Sequence, residues 1–169
     1  IAEVLQQRVA AGVPLAVVHA DLDRFKAFND HYGFKRGDNV IKFTANTLVE
    51  AAVEIGDPSA FVGQVGGDDF IMVMEPEVAE RYFKEVAQRF DDGILDFYDP
   101  QDALRGYVEV IDRRGERHAF PIVSISLGVA NNLRRSFANE WEASAVASEM
   151  KEHAKSEAGS SYKIDRRTT

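Results

Sequence analysis

The sequence predicts an α+β domain, an α/β-type sandwich in which helices flank a central, mostly antiparallel sheet. Three observations predict it. Short runs rich in β-branched and aromatic residues, Ala16–Leu22, Phe61–Val65, Phe70–Met74 and Ile122–Ala130, are too brief for helices. Longer stretches carry apolar residues every three or four positions. The two kinds of segment interleave along the chain, the order of a sheet covered by helices.

The elements follow in order. Ile1–Ala10 reads as an amphipathic helix. Ala16–Leu22 (AVVHADL) reads as a buried central strand that ends in charge. Arg24–Tyr32 reads as a short helix, with Phe25 and Phe28 in the core and Asp23 as its cap. Gly33 ends it. Asp38 is the expected N-cap of a helix over Asn39–Ile55, whose apolar positions are Ile41, Ala45, Leu48, Ala52 and Ile55. Gly56-Asp57-Pro58-Ser59 breaks that helix.

Phe61–Val65 and Phe70–Met74 flank Gly66-Gly67-Asp68-Asp69, a tight hairpin with two carboxylates at its tip. Glu77–Asp92 is a helix packing through Phe83, Ala87, Phe90 and Ile94, and Asp99-Pro100 is a turn. Gly106–Asp112 and Glu116–Phe120, joined by Arg113-Arg114-Gly115, form a second hairpin. Ile122–Ala130 is a strand with one packed face, Val123, Ile125, Leu127 and Val129. Asn139–Lys155 is a helix whose face runs through Trp141, Ala145 and Ser148. Ser161–Ile164 is a last short strand, and 166–169 a loose end.

A chain of 169 residues, 45% hydrophobic and 28% charged, fits one globular domain over residues 1–169. It lacks an initiator Met and is expected to be the C-terminal part of a longer signalling protein. With no Cys, disulfides and thiolate metal sites are excluded. A net charge of −8 argues against binding a nucleic acid polymer. No apolar run approaches the ~20 residues that span a bilayer, so no membrane contact is expected.

Asp21 and Asp23 lie two apart on a strand and share a face, with the Leu22 carbonyl beside them. Such hard oxygens suit Mg²⁺, and Asp21 is the expected ligand. Lys26 and Asn29, three apart on the next helix, suit phosphate and base recognition, although they are also ordinary surface residues. If the first strand pairs beside the hairpin, Asp21 and Asp68 meet at one sheet edge, the arrangement of two-metal nucleotidyl transfer.

Four stretches resemble the GGDEF domain, the diguanylate cyclase module of bacterial signalling proteins. They are Asp21–Asp30 with Gly33 and Gly37-Asp38, like DxDxFKxxND…G…GD; Gly66–Phe70, like GGDEF; Ser124–Ala130, like (S/T)xSxGVA; and Ala154-Lys155 with Gly159, like AKxxG. The resemblance implies the palm-like fold of nucleotide cyclases and the condensation of two GTP into cyclic di-GMP in a homodimer of facing domains. It implies that Asp21, the Leu22 carbonyl, Asp68 and Asp69 hold Mg²⁺ or Mn²⁺, with Lys26, Asp68 and Asp69 serving catalysis. Asn29 and Asp38 would read guanine. Lys155 would contact phosphate, and Gly66 and Gly67 would let the triphosphate approach. A cytoplasmic setting and a fused sensory or EAL phosphodiesterase domain are also implied.

The chain departs from that pattern in five places. Asp69 stands for the usual Glu, Gln64 for a frequent Arg, and Asp57–Ala60 for the RxxD product-inhibition site. Arg is missing after Lys155, and Gly93–Phe120 is long enough to add a hairpin. Asp69, Gln64 and the missing Arg motivate an alternative: a weak or inactive module that binds GTP or cyclic di-GMP and regulates a fused domain.

Overall fold

The computed structural model describes residues 2–57, 59–111 and 114–168. Ile1, Pro58, Asp112, Arg113 and Thr169 lie outside them. So do the parts of the expected first helix, of the Gly56–Ser59 break, of the second hairpin's turn and of the C-terminal end that fall on those positions.

The elements are α1 (Ala2–Ala11), β1 (Ala16–Asp23), α2 (Phe25–Tyr32), α3 (Phe34–Ile55), β2 (Phe61–Gly66) and β3 (Asp69–Met74). There follow α4 (Ala79–Ile94), α5 (Pro100–Arg105), β4 (Tyr107–Ile111), β5 (Arg117–Pro121), β6 (Ser124–Asn131), α6 (Glu140–Ala154) and β7 (Ser161–Ile164). Five strands form one sheet in the order β2-β3-β1-β6-β7, with β1 at its centre. All pairings are antiparallel except β6 with β7. The hairpin β4–β5 is a separate two-stranded sheet.

The period of two in β1 assigns its faces. Ala16, Val18, Ala20 and Leu22 enter the larger core with Leu48 of α3, Tyr82, Phe83 and Phe90 of α4, and Ile125 and Leu127 of β6. Full burial of side chains of this size is worth about 1.5–3 kcal/mol each, which makes this face the main source of stability. The Tyr82 hydroxyl donates to the Leu48 carbonyl at 2.9 Å, which ties α4 to α3. On the opposite face Val17, Ile71, Val73 and Ala130 pack against Leu5 of α1 and against Ala143, Val146 and Ala147 of α6.

Several expectations are corrected. α3 begins at Phe34 with Gly33 at its N-cap, so Asp38 lies within the helix and caps nothing. Asp23 is the last residue of β1; the N-cap of α2 is Arg24, held in the left-handed region at φ 64°. Asp23 instead accepts hydrogen bonds from Ser124 (2.9 Å) and Ser126 (2.7 Å), which draws its carboxylate toward β6. β6 is buried on both faces, because α6 covers Ser126, Gly128 and Ala130. The buried face of α6 is Ala143, Val146, Ala147, Lys151 and Ala154, whereas Trp141 is 72% exposed. After Asp99 the chain forms α5 where only a turn was expected, preceded by a 3-10 turn at Leu95–Phe97.

α5 docks the second hairpin onto α2 and α3. Buried Asp102 accepts from the Tyr32 hydroxyl and from Arg105 (2.5 Å), and Arg36 pairs with Asp99 at 2.9 Å. Among the described residues no helix is long and apolar enough to cross a membrane.

Candidate active site

The face of β1 that packs on α6 changes character along its length. Val17 is apolar; His19, Asp21 and Asp23 follow on the same face. Each polar group has a partner. His19 Nε2 lies 2.8 Å from the Ser144 hydroxyl of α6. Burial first, and then the Lys151 charge, lower the His19 pKa to about 4, so the ring is neutral at neutral pH. Asp21 accepts from Lys151 (3.2 Å) at one oxygen and from Lys155 (2.8 Å) at the other. Burial raises the Asp23 pKa, against the pull of the two serine hydroxyls.

Ala20 of β1 faces Phe70 of β3 in register, so the acidic end of β1 lies beside the β2–β3 hairpin. Asp68 of that hairpin and Asp21 both line a cavity of about 1050 Å³, together with Leu22, Lys26 and Lys155. Burial first, then the Asp21 and Asp69 charges, raise the Asp68 pKa. These carboxylates repel one another, and Asp21 and Asp69 are paired with lysines. Across the cavity stand Val110, His118 and Phe120 of the β4–β5 hairpin.

The other expected residues lie around this group. Lys26 pairs with Asp30 at 3.0 Å on the cavity's outer lip, its side chain 89% exposed. Gly66 and Gly67 form the exposed turn, where Gly67 adopts φ 56° and an added Cβ would meet open space. Gln64 donates to the Gly67 carbonyl at 2.8 Å and closes that turn. Asp69 is not part of the cavity wall; its Oδ1 accepts from Lys151 at 2.8 Å. Asn29 and Asp38 are also outside that wall. Asn29 packs on Gly37, the residue before Asp38, so closely that a Cβ there would come within 1.8 Å of its Oδ1. That Oδ1 is buried and, among the described residues, without a hydrogen-bond partner.

Lys151 was missed by sequence reasoning. The signal was present: Ala143, Ala147, Lys151 and Lys155 are spaced by four, so a lysine interrupts an apolar stripe one turn before a second lysine. The choice of Trp141, Ala145 and Ser148 as the packed face hid it.

Among the described residues no group of three or more His, Asp or Glu side chains is arranged to hold a metal ion. The carboxylates on the cavity wall belong to Asp21, Asp23, Asp30, Asp68 and Glu157, with Leu22 and its carbonyl between the first two. They are hard oxygens, the type that Mg²⁺ takes, and phosphate and water would have to complete its shell.

Comparison with known proteins adds the following. The model of the family described as "Diguanylate cyclase, GGDEF domain" matches residues 1–106, which ends where β4 begins. A diguanylate cyclase of Vibrio cholerae is 36% identical over 80 residues, 46% of this chain and 24% of that protein. The chain spans about a quarter or less of the length of such curated relatives. Among solved structures, the active GGEEF domain of a Vibrio cholerae diguanylate cyclase superposes with a TM-score of 0.68 at 22% identity, over 98% of this chain and 91% of that one. The GGDEF domain of DgcB from Caulobacter crescentus, in complex with c-di-GMP, gives 0.65 at 17% identity, over 96% and 84%. These two likenesses speak for the fold, and they extend it over β6, α6 and β7.

Proposed function

This chain belongs to the GGDEF domain family of diguanylate cyclases, and from that premise we propose that it condenses two GTP into cyclic di-GMP, with Mg²⁺ or Mn²⁺ and a second copy of the domain. One observation carries the reading: Asp21 from a strand end, Asp68 from a hairpin and Lys155 from α6 face one cavity.

In this reading Asp21, Asp68 and the Leu22 carbonyl hold the ion, with Asp69 next to them in the chain. Asp68 lies near enough to Asp21 and Asp69 for their charges to act on it, and a cation among them would relieve that repulsion. The ion would neutralise phosphate charge and lower the cost of ionising the 3′-hydroxyl. Lys26 and Lys155 offset the charge that develops on the transferring phosphates, and Gly66 and Gly67 let the triphosphate lie against backbone. Asn29 and Asp38 read guanine. The Asn29 side chain, whose Oδ1 is buried against Gly37, would have to turn outward to accept from guanine, which offers N1–H and N2–H where adenine has no N1 donor. The 3′-oxygen of one GTP bonds to the α-phosphorus of the other as the α–β anhydride breaks and pyrophosphate leaves. The reciprocal exchange closes the ring and releases a second pyrophosphate. Each domain holds one GTP, so two must face each other. A domain that uses GTP would work in the cytoplasm, and a fused sensory or EAL domain would supply control.

The test is to incubate the chain at high concentration with GTP and Mg²⁺ and to assay for cyclic di-GMP. Product is expected. GTP binding without product would defeat the cyclase reading and leave a binding module; neither binding nor product would defeat both.

A further inference from the structure

Lys151 has no part in the chemistry just described, yet it is the most buried charged side chain in that site. The residue is 7% exposed, so its ammonium cannot reach bulk water as long lysines usually do. A buried charge is tolerated only when paired. Its partners are Asp21 Oδ2 at 3.2 Å and Asp69 Oδ1 at 2.8 Å.

The backbone beneath Lys151 is also fixed. A Cβ on Gly128 of β6 would lie 1.9 Å from the Lys151 amide nitrogen and 2.1 Å from the Ala147 carbonyl oxygen. α6 therefore rests directly on the sheet at this turn, and Lys151 cannot retreat without moving the helix. With Lys155 on Asp21 Oδ1, both oxygens of that carboxylate are held by ammonium groups. The two lysines differ. Lys155 also lines the cavity, so a phosphate can draw it away, whereas Lys151 is not part of the cavity wall.

We propose that Lys151 is a built-in cation of this site, a positioning residue that holds Asp69 against Asp21 and competes with a divalent ion for these two carboxylates. It rests on the metal reading above. The consequence is a division of labour: Asp21 and Asp68 are left to take one divalent ion, while Lys151 supplies the positive charge where Asp69 would help bind another. Asp69 turns inward to Lys151 although Asp68, its neighbour, faces the cavity.

The test is Mn²⁺ binding to the nucleotide-free chain, followed by the electron paramagnetic resonance signal of free Mn²⁺, for wild type, Lys151→Met and Lys151→Gln. Gln keeps a donor for Asp69 without charge and covers the case in which Met fails to fold. A unit charge within ~4–6 Å changes the binding of a proton by about one to three decades, so loss of Lys151 should tighten Mn²⁺ binding at least about tenfold. A purely structural lysine would change stability and leave or weaken Mn²⁺ affinity, and that result overturns the proposal. If wild type and variants bind Mn²⁺ equally, the proposal fails and the metal reading stands. If none binds, both fail. A second readout needs no metal. Lys151→Met, Asp69→Asn and the double variant should show a coupling of about tenfold in the unfolding constant, as for residues in direct contact. Independent, multiplicative effects would mean that Lys151 does not hold Asp69.

Discussion

Replacing Gly128 by Ala tests whether α6 is held where its lysines meet Asp21. The added methyl would sit 1.9 Å from one backbone atom of α6 and 2.1 Å from another. An ordinary contact begins near 3.4 Å, so the helix must retreat by about 1.5 Å at Lys151. No side-chain rotation can relieve the clash, because both atoms are main chain. Inserting a methylene into a tight core costs typically 1–3 kcal/mol, and a contact between two rigid elements belongs at the top of that range, about 3 kcal/mol. The retreat also pulls Lys151 and Lys155 from Asp21, where the bonds are now 3.2 and 2.8 Å. A misplacement of ~1 Å can cost ~10²-fold in rate, so any cyclase activity should fall by about that factor even where the variant is folded. Urea unfolding measures the first effect and cyclic di-GMP formation the second. A midpoint shift equivalent to under about 0.5 kcal/mol, the size of a neutral surface change, would refute the packing argument.

Gly37→Ala would place a Cβ 1.8 Å from Asn29 Oδ1, a side-chain tip that can swing away. Stability should change by less than about 1 kcal/mol, offset by the better helix propensity of Ala, while GTP-over-ATP preference drops about tenfold; unchanged selectivity in competitive binding would count against Asn29. Partial burial pushes the Asp57 pKa up, but bonds from the Ser59 hydroxyl and the Glu75 and Ser59 amides bring it below the ordinary carboxylate range. A depressed folded pKa stabilises above the unfolded value of 3.8, and the gain is lost as pH falls through the folded value. Asp57→Asn should therefore cost about 1.5–3 kcal/mol at pH 7, with the gap to wild type closing in acid; a gap independent of pH would be the wrong result. Asp102→Ala should destabilise by about 1–3 kcal/mol in urea titrations, because Tyr32 and Arg105 lose their shared acceptor. No change would mean that α5 is not anchored through Asp102.

The fold was legible where pattern and packing agree. The run Ala16–Leu22 is apolar apart from His19 and Asp21, is buried along most of its length, and is the central strand. The Gly-Gly hairpin is where its turn residues put it. Misreadings occurred where a tertiary partner overrides a local preference. Asp38 resembles a cap, yet the helix starts at Phe34, because the chain turns at Gly33 (φ 84°) and the next residues coil at once. Asp23 resembles a cap too, but two serine hydroxyls on the neighbouring strand outbid an amide of its own helix. β6 alternates Ser and Gly with large apolar residues, which reads as one solvated face. Small residues there in fact let a helix come close. For the candidate site, the acidic positions were visible in spacing. Lys151 was not, because a lysine within a helix defaults to the surface, and only its pairing with Asp21 of β1 and Asp69 of β3 makes its burial tolerable.

The two faces of β1 thus do different work. Its even positions are wholly apolar and carry stability. Its odd positions pass from Val17 to three ionisable groups beneath α6, and burying these costs free energy unless each finds its partner. Here each does: His19 with Ser144, Asp21 with Lys151 and Lys155, Asp23 with Ser124 and Ser126. A shift of α6 by one residue would break two of those sets at once, so the polar face specifies the helix register that the apolar face alone leaves loose. The same pairing links ligand to fold. A nucleotide that draws Lys155 to its phosphates strips Asp21 of one counter-charge, and it must bring a cation to replace it. Binding of nucleotide and divalent ion should therefore be mutually reinforcing, each raising the affinity for the other by the same factor.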